Sequence, residues 1–219
     1  MTMIRLYSAA RSSASFRVRI ALNLKGLEYE YVPVDLRGGE QLGAAFRAVN
    51  PAALVPVLEI DGQRLVQSLA ILEYLEETRP EPPLLPHEPA ARARARAAAL
   101  AVACDIHPLN NLRVLGYLGR ELAADESTRN AWYRHWVADG LAQLEAQVRA
   151  GGAHGRFIEG DRPSLADLCL IPQIFNAQRF DARLDHVPLL MGIFDECMAL
   201  PAFADAQWER QPDFGRSVS

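Results

Sequence analysis

Five prolines fall within the ten residues from Pro80 to Pro89. Neither a helix nor a sheet ladder runs through that density, because each proline fixes φ and removes a backbone donor. The chain therefore has to fold as two parts, and the patterns on either side differ. Residues 1–80 alternate short apolar strands with helices, and residues 90–219 carry helical periodicity alone. Residues 81–89 read as the linker between them. With 219 residues, half of them hydrophobic, the chain has material for a sizeable core.

In the first part, Ile4–Tyr7 predicts a strand, and Ser12 to Leu24 predicts a helix. Val18, Ala21 and Leu22 fall at i, i+3 and i+4, with Ile20 and Leu24 widening the apolar face. Lys25, the only lysine, and Gly26 supply a cation and a C′ glycine at its end. Glu28–Val34 alternates and predicts a second strand, which Pro33 pushes toward a sheet edge. Strand, helix, strand makes a parallel, right-handed unit. A Gly38-Gly39 turn and a short helix, Leu42–Ala48, follow. Val57–Ile60 and Arg64–Val66 flank Asp61-Gly62, a hairpin signal. Ser68 is placed to cap a helix over Leu69–Glu77. The order is β-α-β-α-β-β-α.

Beyond the linker, Ala90–Asp105 predicts an alanine-rich helix that Pro108 breaks or kinks before Leu109–Leu122. Asp125–Arg149 is another helix, with Trp132 and Trp136 as core residues, as is Phe175 later in the chain. Ser164 and Asp167 have capping-box spacing at the start of the next helix. Leu189–Leu200 is the last, and the tail from Gln211 reads as loose. A net charge of −4 gives no sign of a nucleic-acid partner. Cys104, Cys169 and Cys197 are too far apart for a zinc or thioredoxin-type pair, so no metal is expected. No apolar leader or membrane-length run is present, which gives the expectation of a cytoplasmic protein with no membrane contact.

Ser12, Ser13 and Ser15 place hydroxyls at a helix start, where backbone N–H groups lack intrahelical partners. A strand, a short loop and such a start can hold an anion: a phosphate, a carboxylate or a thiolate. Ser12-Ser13-Ala14-Ser15-Phe16-Arg17-Val18-Arg19-Ile20 resembles the signature of zeta-class glutathione transferases. Val55-Pro56 with Gln67-Ser68 is similar to the cis-proline turn and γ-glutamyl site of the glutathione transferase superfamily. Cys104-Asp105-Ile106-His107-Pro108-Leu109-Asn110-Asn111 is similar to bacterial maleylacetoacetate and maleylpyruvate isomerases. The resemblance spans nearly the whole chain. It implies an α/β thioredoxin-like βαβαββα domain at residues 1–80 and an all-α glutathione-transferase domain at residues 90–219. One position departs from the signature: Ala14 stands where the family usually has cysteine.

The resemblance implies glutathione as cofactor, with Ser12 and Ser13 at its sulfur and Val55 pairing through its backbone beside a cis Pro56. Gln67 and Ser68 would meet the γ-glutamyl carboxylate, Gln41 the glycyl end, and His107 and Asn111 would be further ligand contacts. Helix caps, a trans proline and a surface glutamine are the plain alternatives. A glutathione thiol ionises near 8.5, so lowering that by about two units takes roughly 2.7 kcal/mol. A charge-assisted hydrogen bond and a helix end together reach that order.

The implied activity is isomerisation of maleylacetoacetate to its trans isomer in aromatic amino-acid breakdown, by nucleophilic catalysis. Maleylpyruvate isomerase is the near alternative, then a general transferase or α-haloacid dehalogenase. A non-catalytic interaction module is the alternative of another class. The substrate is a di-acid, which the planar guanidinium fork suits. Arg11, beside the serines, is the candidate for its near end and the developing charge. Arg179 is the candidate for the far carboxylate, with Arg113 an alternative. A homodimer is expected from the family.

Overall fold

The computed structural model describes residues 3–215. The chain divides into two compact units: residues up to Leu84 together with those from Ala199 onward, and residues 85–198. The boundary falls inside the proline-rich stretch. The last helical segment and tail, read from sequence as part of the second domain, group with the first unit instead.

In the first unit, strand β1 (Arg5–Ser8) runs parallel to β2 (Glu30–Pro33) and antiparallel to β3 (Val57–Ile60), which pairs with β4 (Gln63–Val66). The sheet order is β2-β1-β3-β4, so Pro33 lies on an edge strand, where a missing donor is tolerated. Asp61 and Gly62, both at positive φ, make the two-residue hairpin. Helix α1 (Ser13–Leu24) links β1 and β2, α2 (Ala44–Val49) precedes β3, and α3 (Ser68–Thr78) follows β4.

Two details depart from the sequence reading. Ser68 is the first residue of α3 and Gln67 holds the cap position without a side-chain bond, so Ser68 is not the cap. And α1 does not bury a single apolar stripe. Ser13 and every residue from Ser15 to Leu22 are buried, Arg17 and Arg19 included. The helix lies within the unit, and its two arginines have to find acceptors there.

Arg19 is fully buried. Its Nε donates to Ala206 O at 2.8 Å, Nη1 to Ser8 Oγ at 3.2 Å and Ala9 O at 3.3 Å, and Nη2 to Ala10 O at 2.9 Å. These bonds explain why the tail belongs to this unit. Helix α9 (Pro201–Ala204) packs on α1, and Asn23 Nδ2 donates to Ala202 O at 3.0 Å. Asp213 then accepts from Ala10 N–H at 2.9 Å and Tyr31 O–H at 2.7 Å. The segment 211–215 is therefore bonded down rather than loose; residues 216–219 lie outside the described residues.

Lys25 does more than stop α1. Its buried ammonium donates to Arg79 O at 2.6 Å, Pro82 O at 2.8 Å and Glu76 Oε2 at 3.4 Å, while that same oxygen accepts from Leu84 N–H at 2.7 Å. The lone lysine ties the ends of α1 and α3 to the first half of the proline-rich stretch. Burial lowers its pKa, with Glu76 opposing.

The second unit is helical: α4 (Pro89–Leu100), α5 (Leu112–Glu121), α6 (Glu126–Gly151), α7 (Leu165–Arg179) and α8 (Pro188–Met198). The helix expected through Asp105 ends at Leu100. Residues 101–106 widen to a π-type turn and 107–110 tighten to a 3₁₀ turn. Pro108 accounts for this, since its ring would clash with the carbonyl four residues back and it offers no N–H. Glu145, buried on α6, accepts from Leu189 and Leu190 N–H and so closes the start of α8. Tyr133 is buried and stacks on Phe180, whereas Trp132, Trp136 and Phe175, read as core, are only half buried.

The capping box at α7 is present: Ser164 Oγ accepts from Ala166 N–H, and Asp167 accepts from Ser164 N–H at 2.7 Å and Ile158 N–H at 3.0 Å. Asp167→Ala would strand those buried donors, so it should cost about 2–4 kcal/mol in urea unfolding at neutral pH. Burial pushes the Asp167 carboxyl up from 3.8 to about 6, against the hydrogen bonds it accepts. To that hydrogen-bond contribution a raised folded pKa adds a pH-dependent part, fully present below 3.8 and lost as pH rises through about 6. The stability gap between wild type and Asp167→Ala should therefore widen from pH 7 toward pH 4. A gap that narrows over that range contradicts this account of Asp167.

Candidate active site

The sheet register gathers the residues singled out in the first unit. Ser8, the last residue of β1, pairs with Pro33, the last of β2. Tyr7 pairs with Val57, the first residue of β3, and Val57 pairs with Val66, the last of β4. One end of the sheet thus carries the β1–α1 turn, the Val55-Pro56 segment entering β3, and Gln67-Ser68 leaving β4. Gln41 lies in the short 3₁₀ turn that follows β2 on that side.

The β1–α1 turn is fixed from several directions. Ala9 O accepts from Ser12 N–H at 3.0 Å as well as from Arg19, and Ala10 is held through its carbonyl by Arg19 and through its N–H by Asp213. Ser12 is the cap residue of α1, with extended φ and ψ, and its Oγ accepts from Ser15 N–H at 3.2 Å. A hydroxyl that accepts in this way keeps its proton to donate to something else. Ser13 follows as the first helical residue and is buried. A thiolate at this point would meet a hydroxyl donor and the positive end of a helix.

The Val55–Pro56 bond is cis, the isomer expected. Val55 lies just outside the β1–β3 ladder and packs against the cluster of Val34, Phe46 and Val57. Gln67 is exposed and has φ 69° and ψ 113°, a conformation that side chains adopt at a cost and that recurs at ligand sites. It turns the chain sharply into α3 and leaves Ser68 at a second helix start. Ser68 is buried, and its Oγ accepts from Arg17 Nη1 at 3.2 Å. Gln41 is half buried; its Nε2 reaches Leu36 O at 3.4 Å, and its Oε1 is buried without a hydrogen-bond partner among the described residues. Arg11 stacks its guanidinium 5.4 Å from the centroid of the Phe214 ring, in the tail.

In the second unit, His107 Nε2 lies 3.3 Å from Asn111 Nδ2. With the amide donating, the ring proton sits on Nδ1. Asn111 Oδ1 caps α5 by accepting from Arg113 N–H at 3.0 Å. One turn therefore brings His107, Asn111 and the exposed Arg113 together. Arg179 is exposed at the last residue of α7, its guanidinium 5.0 Å from the Phe180 ring centroid. Among the described residues, no three His, Cys, Asp or Glu side chains are grouped to hold a metal ion, and no helix is long and apolar enough to cross a membrane.

Arg17 and Arg19 stand in the quoted signature, and no chemical role for either follows from the sequence. Their signal was two charges at consecutive odd positions of an otherwise apolar helix, which put charge on sides that the core must cover. Burial pushes the Arg19 guanidinium down to about 10, so it stays charged at neutral pH. Asp213 carried no comparable signal, because its partners lie at Ala10 and Tyr31, near the other end of the chain.

Residues 6–83 match the family model described as Glutathione S-transferase, N-terminal domain. A Vibrio cholerae protein named "Probable maleylacetoacetate isomerase" is 50% identical over 97% of this chain and 99% of its own. The holo structure of a maleylpyruvate isomerase, described as a bacterial zeta-class glutathione S-transferase, superposes with a TM-score of 0.93 at 46% identity, covering 95% of this chain and 99% of that one. The Anaeromyxobacter dehalogenans maleylacetoacetate isomerase solved with bound glutathione gives 0.86 at 47% identity, with 96% and 97% covered. Matches of this closeness over essentially the whole length of each protein show that the chain belongs to the zeta class of the glutathione transferase family.

Proposed function

We propose that this protein is a glutathione-dependent cis–trans isomerase of maleylacetoacetate, yielding fumarylacetoacetate. The observation that carries the reading is the start of α1. Ser12 caps the helix through its lone pair, keeps its proton, and stands at the sheet end that also carries Val55-Pro56 and Ser68. Full-length likeness to isomerases of maleyl acids supports the choice of reaction.

The residues fit glutathione as cofactor. When bound, it supplies a thiolate nucleophile. Ser12 would donate to the sulfur, with Ser13 beside it, and Val55 would offer its backbone next to Pro56. Ser68 and Gln67 would hold the γ-glutamyl carboxylate, and Gln41, with a buried oxygen still to be partnered, the glycyl end. His107 and Asn111 are further ligand contacts. Arg11, Arg113 and Arg179 are the candidates for the substrate's carboxylates and for charge that develops at its carbonyl, where fixed positive groups stabilise most. We read the protein as a cytoplasmic homodimer serving tyrosine and phenylalanine breakdown.

Maleylpyruvate is the second reading, favoured by the 46% identical isomerase of that acid. Assays of both acids with glutathione test the proposal. Maleylacetoacetate should turn over faster, with glutathione undiminished. A stable conjugate or released halide, without fast isomerisation of either acid, would make the protein a general transferase or dehalogenase. Arg179→Met or Arg11→Met should lower kcat/KM for the di-acid by about 10- to 100-fold, as expected for one lost charged hydrogen bond, with glutathione affinity nearly unchanged. Wild-type values in both variants would remove the arginine clamp from the account.

A further inference from the structure

We infer that Arg17 is a positioning residue for the carboxylate end of bound glutathione, acting through the Ser68 hydroxyl. The inference rests on the reading of Ser68 as the γ-glutamyl contact. Arg17 sits one turn into α1 with 3% of its surface exposed, and Ser68 with 6%. Arg17 Nη1 donates to Ser68 Oγ at 3.2 Å. A guanidinium can only donate, so it occupies a lone pair of the Ser68 oxygen and turns the single hydroxyl proton away from itself. Ser68 is thereby set as a donor at the first residue of α3, beside the N–H groups that a helix start leaves without intrahelical partners.

An acceptor-only, negatively charged group fits that arrangement. It takes the Ser68 O–H and a backbone N–H, and it feels the Arg17 charge one hydrogen bond away in a poorly screened interior. A neutral amide or a hydroxyl would gain much less. Burying a guanidinium is costly, and an apolar residue would serve packing alone at this place in α1. The same helix then sets both ends of the ligand: its cap residue Ser12 faces the sulfur, and Arg17, five residues on, orders the donor for the carboxylate. The two jobs are separable because they use different atoms.

Calorimetric titration with glutathione, on Arg17→Met, Arg17→Lys, Ser68→Ala and the Arg17→Met/Ser68→Ala pair, tests the inference, alongside thermal unfolding without ligand. Arg17→Met should weaken glutathione by at least about tenfold. Arg17→Lys should restore most of that affinity, since it keeps a donor and a charge. The double variant should bind no more weakly than the weaker single one, because the two side chains act in series. Losses that add, or glutathione affinity in Arg17→Met equal to wild type while Ser68→Ala weakens it, would overturn the role of Arg17 and leave Ser68 in place. Unchanged affinity in Ser68→Ala would overturn the Ser68 reading and this inference with it. If Arg17→Met does not fold, Arg17→Gln replaces it: the uncharged donor should fall well below Arg17→Lys, and equal affinities would overturn the role of charge.

Discussion

A guanidinium with no solvent around it governs the geometry of this site. Arg19 spends its donors on Ser8 Oγ and the carbonyls of Ala9, Ala10 and Ala206, and its guanidinium carbon lies 5.0 Å from the centroid of the Phe16 ring. Carbonyl dipoles replace water as its solvation, and it remains charged at neutral pH despite the lowering that burial imposes. Two of those carbonyls belong to the turn between β1 and α1. Asp213 holds the same turn from its N–H side. A loop of four residues is thus braced by α1 behind it and by the tail beside it, and the Ser12 cap follows from that bracing. Loop residues that do chemistry need such support, since small displacements are expensive in rate.

Much of the fold was legible where local rules and tertiary structure agree. Pro33 was expected at an edge and is on one; Asp61-Gly62 was expected to turn a hairpin and does; Ser164 and Asp167 have the spacing of a capping box and form it. Two of the departures share a cause, partners distant in sequence, and a third is local. Arg19 reads as a surface arginine until Ala206 is brought to it. The tail from Gln211 reads as loose until Asp213 meets Ala10 and Tyr31. Ser68 looks like a helix cap by residue type, but Gln67 takes that position in a left-handed conformation that no propensity would assign to glutamine.

The site itself was legible unevenly. Ser12 could be named because a hydroxyl at a helix start has a stated chemical use, and Val55-Pro56 because the dipeptide precedes a recognisable hairpin. Arg11, Arg179 and Arg113 were singled out by their place in the chain and not by composition, since a chain with one lysine draws on arginine for nearly all its cationic side chains. The structure separates them by surroundings. Arg17 and Arg19 are buried in α1, Arg11 lies against Phe214, and Arg113 and Arg179 are exposed in the helical unit. Ala14, half buried in the first turn of α1, brings no thiol, so the proposed function leaves the sulfur to Ser12 and the helix end.

The central claim is that Ser12 serves two masters with different atoms, capping α1 with its lone pair and donating its proton to a thiolate. Ultraviolet titration of bound glutathione, in wild type and in Ser12→Ala, tests it most directly. The account predicts a wild-type thiolate midpoint well below the unperturbed value of about 8.5 and a rise of one unit or more in the variant. The variant should also lose about 1 kcal/mol of stability from the missing cap. A midpoint that does not move, with the cap energy lost as expected, would contradict the account: Ser12 would then be a helix cap and nothing more.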